Sequence, residues 1–203
     1  MNEPSCKAEQ GYIAGIDERG WLARHLYGDK DAFPQLLGTY RRPVYNYLVR
    51  CGLDAASRDD LFQDIFLKIH AAAASYRPSQ PLRAWVFTIA VNTVRNYWRA
   101  SRNRFSVVDD GKLAERAAPG PGTDGTAETA ETLAWLSEAV AALPIAHREV
   151  LVLVAIEGLP QQEVAEILDM PLNSVKTNLR RARLALLEEQ QRRDAPVYGG
   201  DET

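Results

Sequence analysis

The chain has 203 residues, 46% hydrophobic and 25% charged, with a formal net charge of -3. That length suits one ordinary domain or two small ones. The charge excludes a polycation, so any nucleic-acid contact must come from basic residues concentrated locally and offset elsewhere. The polar start MNEPSCKAEQ lacks the apolar core of a signal peptide, and no run approaches the ~18 apolar residues that span a bilayer, so a cytoplasmic protein without membrane insertion is expected.

In chain order, residues 1–27 read as an N-terminal extension. Asp31, Phe33, Leu36, Leu37 and Tyr40 fit one helix, which Val44, Tyr45, Leu48 and Val49 carry past Pro43. Ser57-Arg58-Asp59-Asp60 has the pattern of a capping box, with the serine as cap and an acid in the positive first turn. The segment LFQDIFLKIHAAAA places Phe62, Ile65, Phe66 and Ile69 on one helical face. Asp60, Gln63, Asp64 and Leu67 fall on the opposite one. A turn with Pro78 and Pro81 leads to a helix over about 82–102. There Thr88, Asn92, Arg95 and Arg99 form a polar stripe with Asn96 beside it, and Trp85 reads as core.

Residues 106–130 break the pattern. The run VDDGKLAERAAPGPGTDGTAETA is too poor in apolar residues to offset its ordering entropy, and it predicts a flexible linker. Beyond it, Leu133, Leu136, Val140 and Leu143 mark a helix stopped near Pro144, and 146–156 mark another ended at Gly158. Two further helices follow within 131–190, and 191–203 read as a tail. The expected fold class is all-α, with two small helical domains (28–105 and 131–190) joined by an acidic linker.

Charge is distributed in the same blocks. From Tyr76 to Arg104 there are six arginines and no acid, and from Leu172 to Arg193 six basic residues oppose two acids. The stretch from Phe105 to Glu131 carries six acids against two bases. Two basic segments strapped by an acidic one point to two DNA contacts.

The segment GLPQQEVAEILDMPLNSVKTNLRRARLALL is the most specific signal. Val164, Ala165, Ile167 and Leu168 give a short helix its apolar face, Asp169-Met170-Pro171 breaks it, and Asn173 or Ser174 is placed to cap the next helix. In that helix Val175, Leu179, Ala182 and Leu186 face inward. Lys176, Arg180 and Arg183 share another face, with Thr177 and Arg181 adjoining. This is the pattern of a helix-turn-helix whose second helix enters a major groove, polar residues at its start reaching base edges and arginines clamping phosphate or guanine.

The run from Arg58 to Arg104 resembles region 2 of extracytoplasmic-function sigma factors, and the likeness resumes from Leu133 to Glu188 as their region 4. The matching residues are Asp60, Leu61, Gln63 and Phe66 of a D-L-x-Q-x-x-F helix, then Trp85, Ile89, Ala90, Asn92 and Asn96. The resemblance implies that Asp60, Leu61, Gln63, Asp64, Phe66 and Leu67 bind the clamp coiled coil of core RNA polymerase. It implies that Tyr76, Arg77, Thr88, Asn92, Arg95, Asn96 and Arg99 capture and melt the -10 element. Asn173, Ser174, Lys176, Thr177, Arg180, Arg181 and Arg183 would read the -35 element as duplex. The polymerase flap and an anti-sigma protein are the further partners implied, and the acidic linker would thread the polymerase cleft. Pro160 and Asn173 depart from the family pattern, where serine and glycine are common, and leave -35 sequence preference open.

A LuxR-type activator is the alternative, since GLPQQEVAEIL and NSVKTNL also resemble that helix-turn-helix. Such regulators usually carry an α/β or ligand-binding domain upstream, whereas strand alternation is lacking here. No enzyme is expected: His25, His70 and His147 are scattered and no Gly-rich phosphate loop is present. Cys6 and Cys51 have no CxxC spacing and read as reduced thiols, so neither metal nor cofactor is expected.

Overall fold

The computed structural model describes residues 18–105 and 127–194. The expected linker (most of 106–130), the tail after 194, most of the N-terminal extension and Cys6 lie outside the described residues. So do the side chains of Arg102, Arg104 and Leu133. The described elements are helices α1 (Glu18–Leu26), α2 (Ala32–Arg50), α3 (Ala55–Ala72), α4 (Leu82–Phe105), α5 (Ala127–Ala142), α6 (Ile145–Leu151), α7 (Gln161–Leu168) and α8 (Leu172–Asp194). A short 3-10 turn follows α3 at Ala73–Ser75, and a π turn follows α6 at Val152–Ile156. No strand occurs among the described residues, so the chain is all-α.

Helix α2 forms because its apolar residues recur at helical spacing. Leu36, Tyr40, Val44, Tyr47 and Leu48 make one buried stripe. Pro43 sits inside the helix without ending it. The ring costs one backbone hydrogen bond, but burial of the stripe on both sides of it holds the helix together. In α3 the inward face is Leu61, Ile65, Phe66 and Ile69. Phe62 is only half-buried, its ring 4.9 Å from Phe66 and 6.0 Å from Tyr45. The α3 cap is Asp54 rather than Ser57. The Asp54 carboxylate accepts from the Ser57 amide at 2.9 Å and from its hydroxyl at 2.6 Å. Ser57 is thus the third residue of the helix and the partner of an aspartate cap, and the helix begins three residues earlier than the serine pattern suggests.

Helix α4 is buried on more than one side: Trp85, Val86, Phe87, Ala90, Val91 and Val94 are all in the core. The reason is its position, with α3 against one flank and α7 against another. In the second bundle, four consecutive residues, Val150 to Leu153, are buried. Full burial of a consecutive run needs neighbours all round, here α8 and α7. The π turn that follows is closed by the Glu157 amide donating to the Val152 carbonyl (2.9 Å), and it turns Glu157 inward, 7% exposed.

The two bundles pack directly on each other, and their buried residues form one continuous cluster. Arg148 of α6 reaches the Cys51 carbonyl at the end of α2 (2.6 Å) and also donates to the carbonyls of Leu143 and Ala141. Gly52 makes room for this: it holds φ +74°, and a Cβ there would lie 3.3 Å from the Arg148 guanidinium.

The helix-turn-helix is present, with local differences. The one non-glycine residue with a left-handed backbone among the described residues is Asp169 (φ 51°), and the Met170 amide closes the α7 end on the Ala165 carbonyl at 3.0 Å. Helix α8 starts at Leu172, so Asn173 and Ser174 lie inside its first turn. There the Pro171 carbonyl accepts from the Ser174 and Val175 amides. Leu136, one of the apolar residues that mark α5, is 39% exposed.

Replacing Asp54 by Ala is expected to lower stability by ~1 kcal/mol in urea unfolding at neutral pH. The Ser57 hydroxyl and amide hold the Asp54 carboxyl below the usual carboxylate range. The cap's contribution should therefore be present at neutral pH and fade as pH falls through that lowered value, closing the gap between the two proteins.

Candidate nucleic-acid interface

Three exposed faces carry the expected contact residues, and each is positioned by the apolar face behind it. On α3, burial of Leu61 (7% exposed), Ile65 and Ile69 turns Asp60, Gln63 and Leu67 outward. Leu67 is 68% exposed, a large apolar side chain standing in water among acids. Asp64 is half-buried and pairs with Lys68 at 2.7 Å, which also reaches the Thr93 hydroxyl of α4. Leu61 and Phe66, by contrast, lie in the bundle's own core. They hold the helix in place and present no surface, because the D-L-x-Q-x-x-F spacing puts its leucine and phenylalanine on the inward stripe.

On α4, Asn92, Asn96 and Arg99 are exposed, and Arg99 donates to the Asn96 side-chain oxygen at 3.0 Å. That bond occupies the Asn96 side-chain oxygen, while the amide's N–H groups are donors by chemistry. Thr88 is half-buried and its hydroxyl donates to the Ala84 carbonyl of its own helix. Tyr76 packs its ring 5.3 Å from Trp85 and donates to the Gln80 carbonyl at 2.8 Å, closing the turn before α4, while Arg77 is exposed. Trp85 is core, as the periodicity indicates. Tyr97 bonds Ser57 through its hydroxyl (2.8 Å), tying α4 to the start of α3, and meets the Trp98 ring edge-on.

Arg95 is different. Its Nε and Nη2 grip the Glu149 carboxylate of α6 at 2.9 and 2.7 Å, and its Nη1 donates to the Leu168 carbonyl at the end of α7 (3.2 Å). Arg83, also on α4, pairs with Glu157 at 3.1 Å. Burial pushes the Glu157 carboxyl above the ordinary range, against the pull of Arg83 and Arg50. The expected DNA stripe of α4 therefore doubles as half of an inter-bundle contact. Sequence reasoning missed Glu149 and Glu157. The available signal was their position, one acid at each end of the apolar run VLVLVAI, where a solvated acid has no place.

On α8, Val175, Leu179 and Ala182 are buried, and Lys176, Thr177, Arg180, Arg181 and Arg183 are all exposed beside Asn173. Ser174 is half-buried. The arginines present donor forks suited to phosphate or guanine. Leu184 and Leu187 further along α8 are also exposed, an apolar ridge the inward-stripe reading did not single out.

Among the described residues, no group of three metal-ligating side chains occurs and no helix is long and apolar enough to cross a membrane. Cys51 is buried, and burial pushes its thiol up to about 12.

Comparison with known proteins places both halves. Residues 36–104 match the family model described as Sigma-70 region 2, and residues 133–186 match Sigma-70, region 4. The RNA polymerase sigma factor YlaC of Bacillus subtilis is 30% identical over 158 residues, covering 77% of this chain and 91% of YlaC. The RNA polymerase sigma factor CnrH of Cupriavidus metallidurans is 29% identical over 175 residues, covering 83% of this chain and 92% of CnrH. Two solved structures are similar at 26% identity. CnrH in complex with the cytosolic domain of CnrY has TM-score 0.66 and is 99% covered, with 88% of this chain. The sigma factor RpoE with the anti-sigma factor NepR from Bartonella quintana has TM-score 0.70 and is 96% covered, with 78% of this chain.

A thiol held as high as Cys51 is almost wholly protonated at neutral pH and shielded from reagents. A Cys6→Ser variant should therefore give no labelling with Ellman's reagent in native buffer and one thiol per chain after urea, read by absorbance. Rapid native labelling would contradict the burial.

Proposed function

The chain belongs to the sigma-70 family, as a sigma factor of the extracytoplasmic-function type, and on that premise we propose how its surfaces divide the work. The α3 face docks on the clamp coiled coil of core RNA polymerase, α4 and the turn before it take the melted -10 strand, and α8 reads the -35 element in the major groove. The observation that carries this reading is Leu67, 68% exposed among Asp60, Gln63 and Asp64. An apolar knob set in an acidic face suits a basic protein surface with an apolar socket. It has no use in a contact with DNA, whose backbone is anionic.

The remaining assignments rest on chemistry of the same kind. Asn92, Asn96 and Arg99 offer amide donors and acceptors beside a cation, the combination that pairs with base edges while holding phosphate. Lys176, Arg180, Arg181 and Arg183 give α8 four exposed cations next to Thr177 and Asn173 at the end that enters a groove. Exposed Leu184 and Leu187 suit docking of the second bundle on the polymerase flap. The acidic segment between the bundles, six acids against two bases, suits a positively charged nucleic-acid channel. An anti-sigma partner is supported by the two related complexes, one of them with an anti-sigma factor by name.

The direct test is reconstitution with core polymerase and run-off transcription. This chain should confer promoter-specific starts on core enzyme alone, and a requirement for another sigma factor would sink the reading. Leu67→Asp should abolish core binding by fluorescence anisotropy while leaving circular dichroism unchanged. Arg180→Ala should reduce output from promoters with an intact -35 element about tenfold, within the ~1–3 kcal/mol of a base contact. Lys176→Ala should weaken duplex binding uniformly across sequences and lower the salt-dependence slope by about one.

A further inference from the structure

Arg95 and Glu149 belong to different bundles and yet form a two-pronged, largely buried ion pair. The guanidinium uses its Nε–Nη2 edge on the two carboxylate oxygens, at 2.9 and 2.7 Å, and its remaining arm on the Leu168 carbonyl. Glu149 is 6% exposed at its side chain and Arg95 29%, so water screens the pair weakly. The Leu168 carbonyl lies at the carboxyl end of α7, the first helix of the helix-turn-helix, where a cation is favoured. Two further contacts flank the pair across the same boundary: Arg83 with Glu157, and Arg148 with the Cys51 carbonyl beside Gly52.

The edge of Arg95 that grips Glu149 is the same planar fork that takes a phosphate or the O6/N7 pair of guanine. It cannot do both. Moreover, α4 and α7 are in hydrogen-bond contact through Arg95. The two promoter elements, named for their positions, are about 25 base pairs apart, roughly 85 Å of duplex at ~3.4 Å per pair. One chain in this arrangement cannot lay α4 on one element and α8 on the other.

We propose that Glu149 is an internal competitor for promoter DNA. Its carboxylate stands in for phosphate in the Arg95 fork, and with the two flanking contacts it clasps the bundles in a closed resting state. The DNA half of this inference rests on the assignment of α4 to the -10 strand, whereas the clasp itself does not. Polymerase or DNA binding must part the bundles, and only then does Arg95 become available.

The test uses the full chain and a charge swap. Small-angle X-ray scattering is measured on the parent, Glu149→Arg, Arg95→Glu, and the double variant with both substitutions. Each single change should enlarge the radius of gyration, and the double change should restore the parent value. That restoration also shows that the single variants failed by losing the pair and not by misfolding. Single variants that superpose on the parent, or a double variant that stays open, would overturn the clasp. In a second arm, Glu149→Gln, which keeps the side chain's size, should bind a fluorescent single-stranded -10 oligonucleotide about tenfold more tightly than the parent, the factor by which a mostly closed population depresses apparent affinity. Unchanged affinity in an opened Glu149→Gln protein would overturn the competitor role. Scattering involves neither polymerase nor DNA, so its outcome is separate from that of the run-off assay, which alone decides the sigma-factor assignment of the surfaces.

Discussion

The relation between the two bundles depends on the Arg95–Glu149 pair. A carboxylate on α6 that is almost fully buried must find a cation or lose its charge, and α4 supplies one from outside its bundle. The bidentate geometry fixes both the distance and the rotation of α4 against α6, which a single point contact could not. Arg148 and Glu157 then have defined partners, and the apolar residues behind them close into one cluster. Removing either charge leaves the other stranded in a place built for two.

That arrangement sets a tension within α4. The helix is apolar enough to be buried against α3 and α7, yet its polar residues are the ones proposed for the -10 strand. Asn92, Asn96 and Arg99 stay outside and Arg95 and Arg83 turn toward the second bundle. The residues divide by rotation about one helix axis, so a partner that displaces the second bundle would add two arginines to a face that already holds the others. The overall charge of -3 has a related origin: the acids that balance the basic helices include Glu149 and Glu157, which are spent inside the molecule rather than on its surface.

The exposed faces proposed for docking and recognition were legible because they follow from periodicity. Once Leu61, Ile65 and Ile69 are inside, Asp60, Gln63 and Leu67 must be outside, and once Val175, Leu179 and Ala182 are inside, the α8 cations must be outside. The same rule removes Leu61 and Phe66 from the docking surface, although the motif contains them. Motif membership records what a helix needs to be that helix, which includes its core side. The caps were less legible: Asp54 precedes Ser57 and takes its amide and hydroxyl, and Asp169 takes the left-handed position after α7. Both are decided by local cap geometry within a few residues, finer than hydrophobic spacing resolves.

By itself the sequence determined the all-α class, the two bundles on either side of an acidic, Gly- and Pro-rich segment, the helix-turn-helix and the identity of its exposed cations. These depend on interactions between residues a few positions apart, which the order of residues encodes directly. Only the tertiary structure decided that Arg95 meets Glu149, that Arg83 meets Glu157, and that Cys51 is sealed under Arg148. Each of these joins groups more than fifty positions apart across a boundary between bundles. No local pattern carries that information, because which buried charge finds which partner is settled by how two finished surfaces fit.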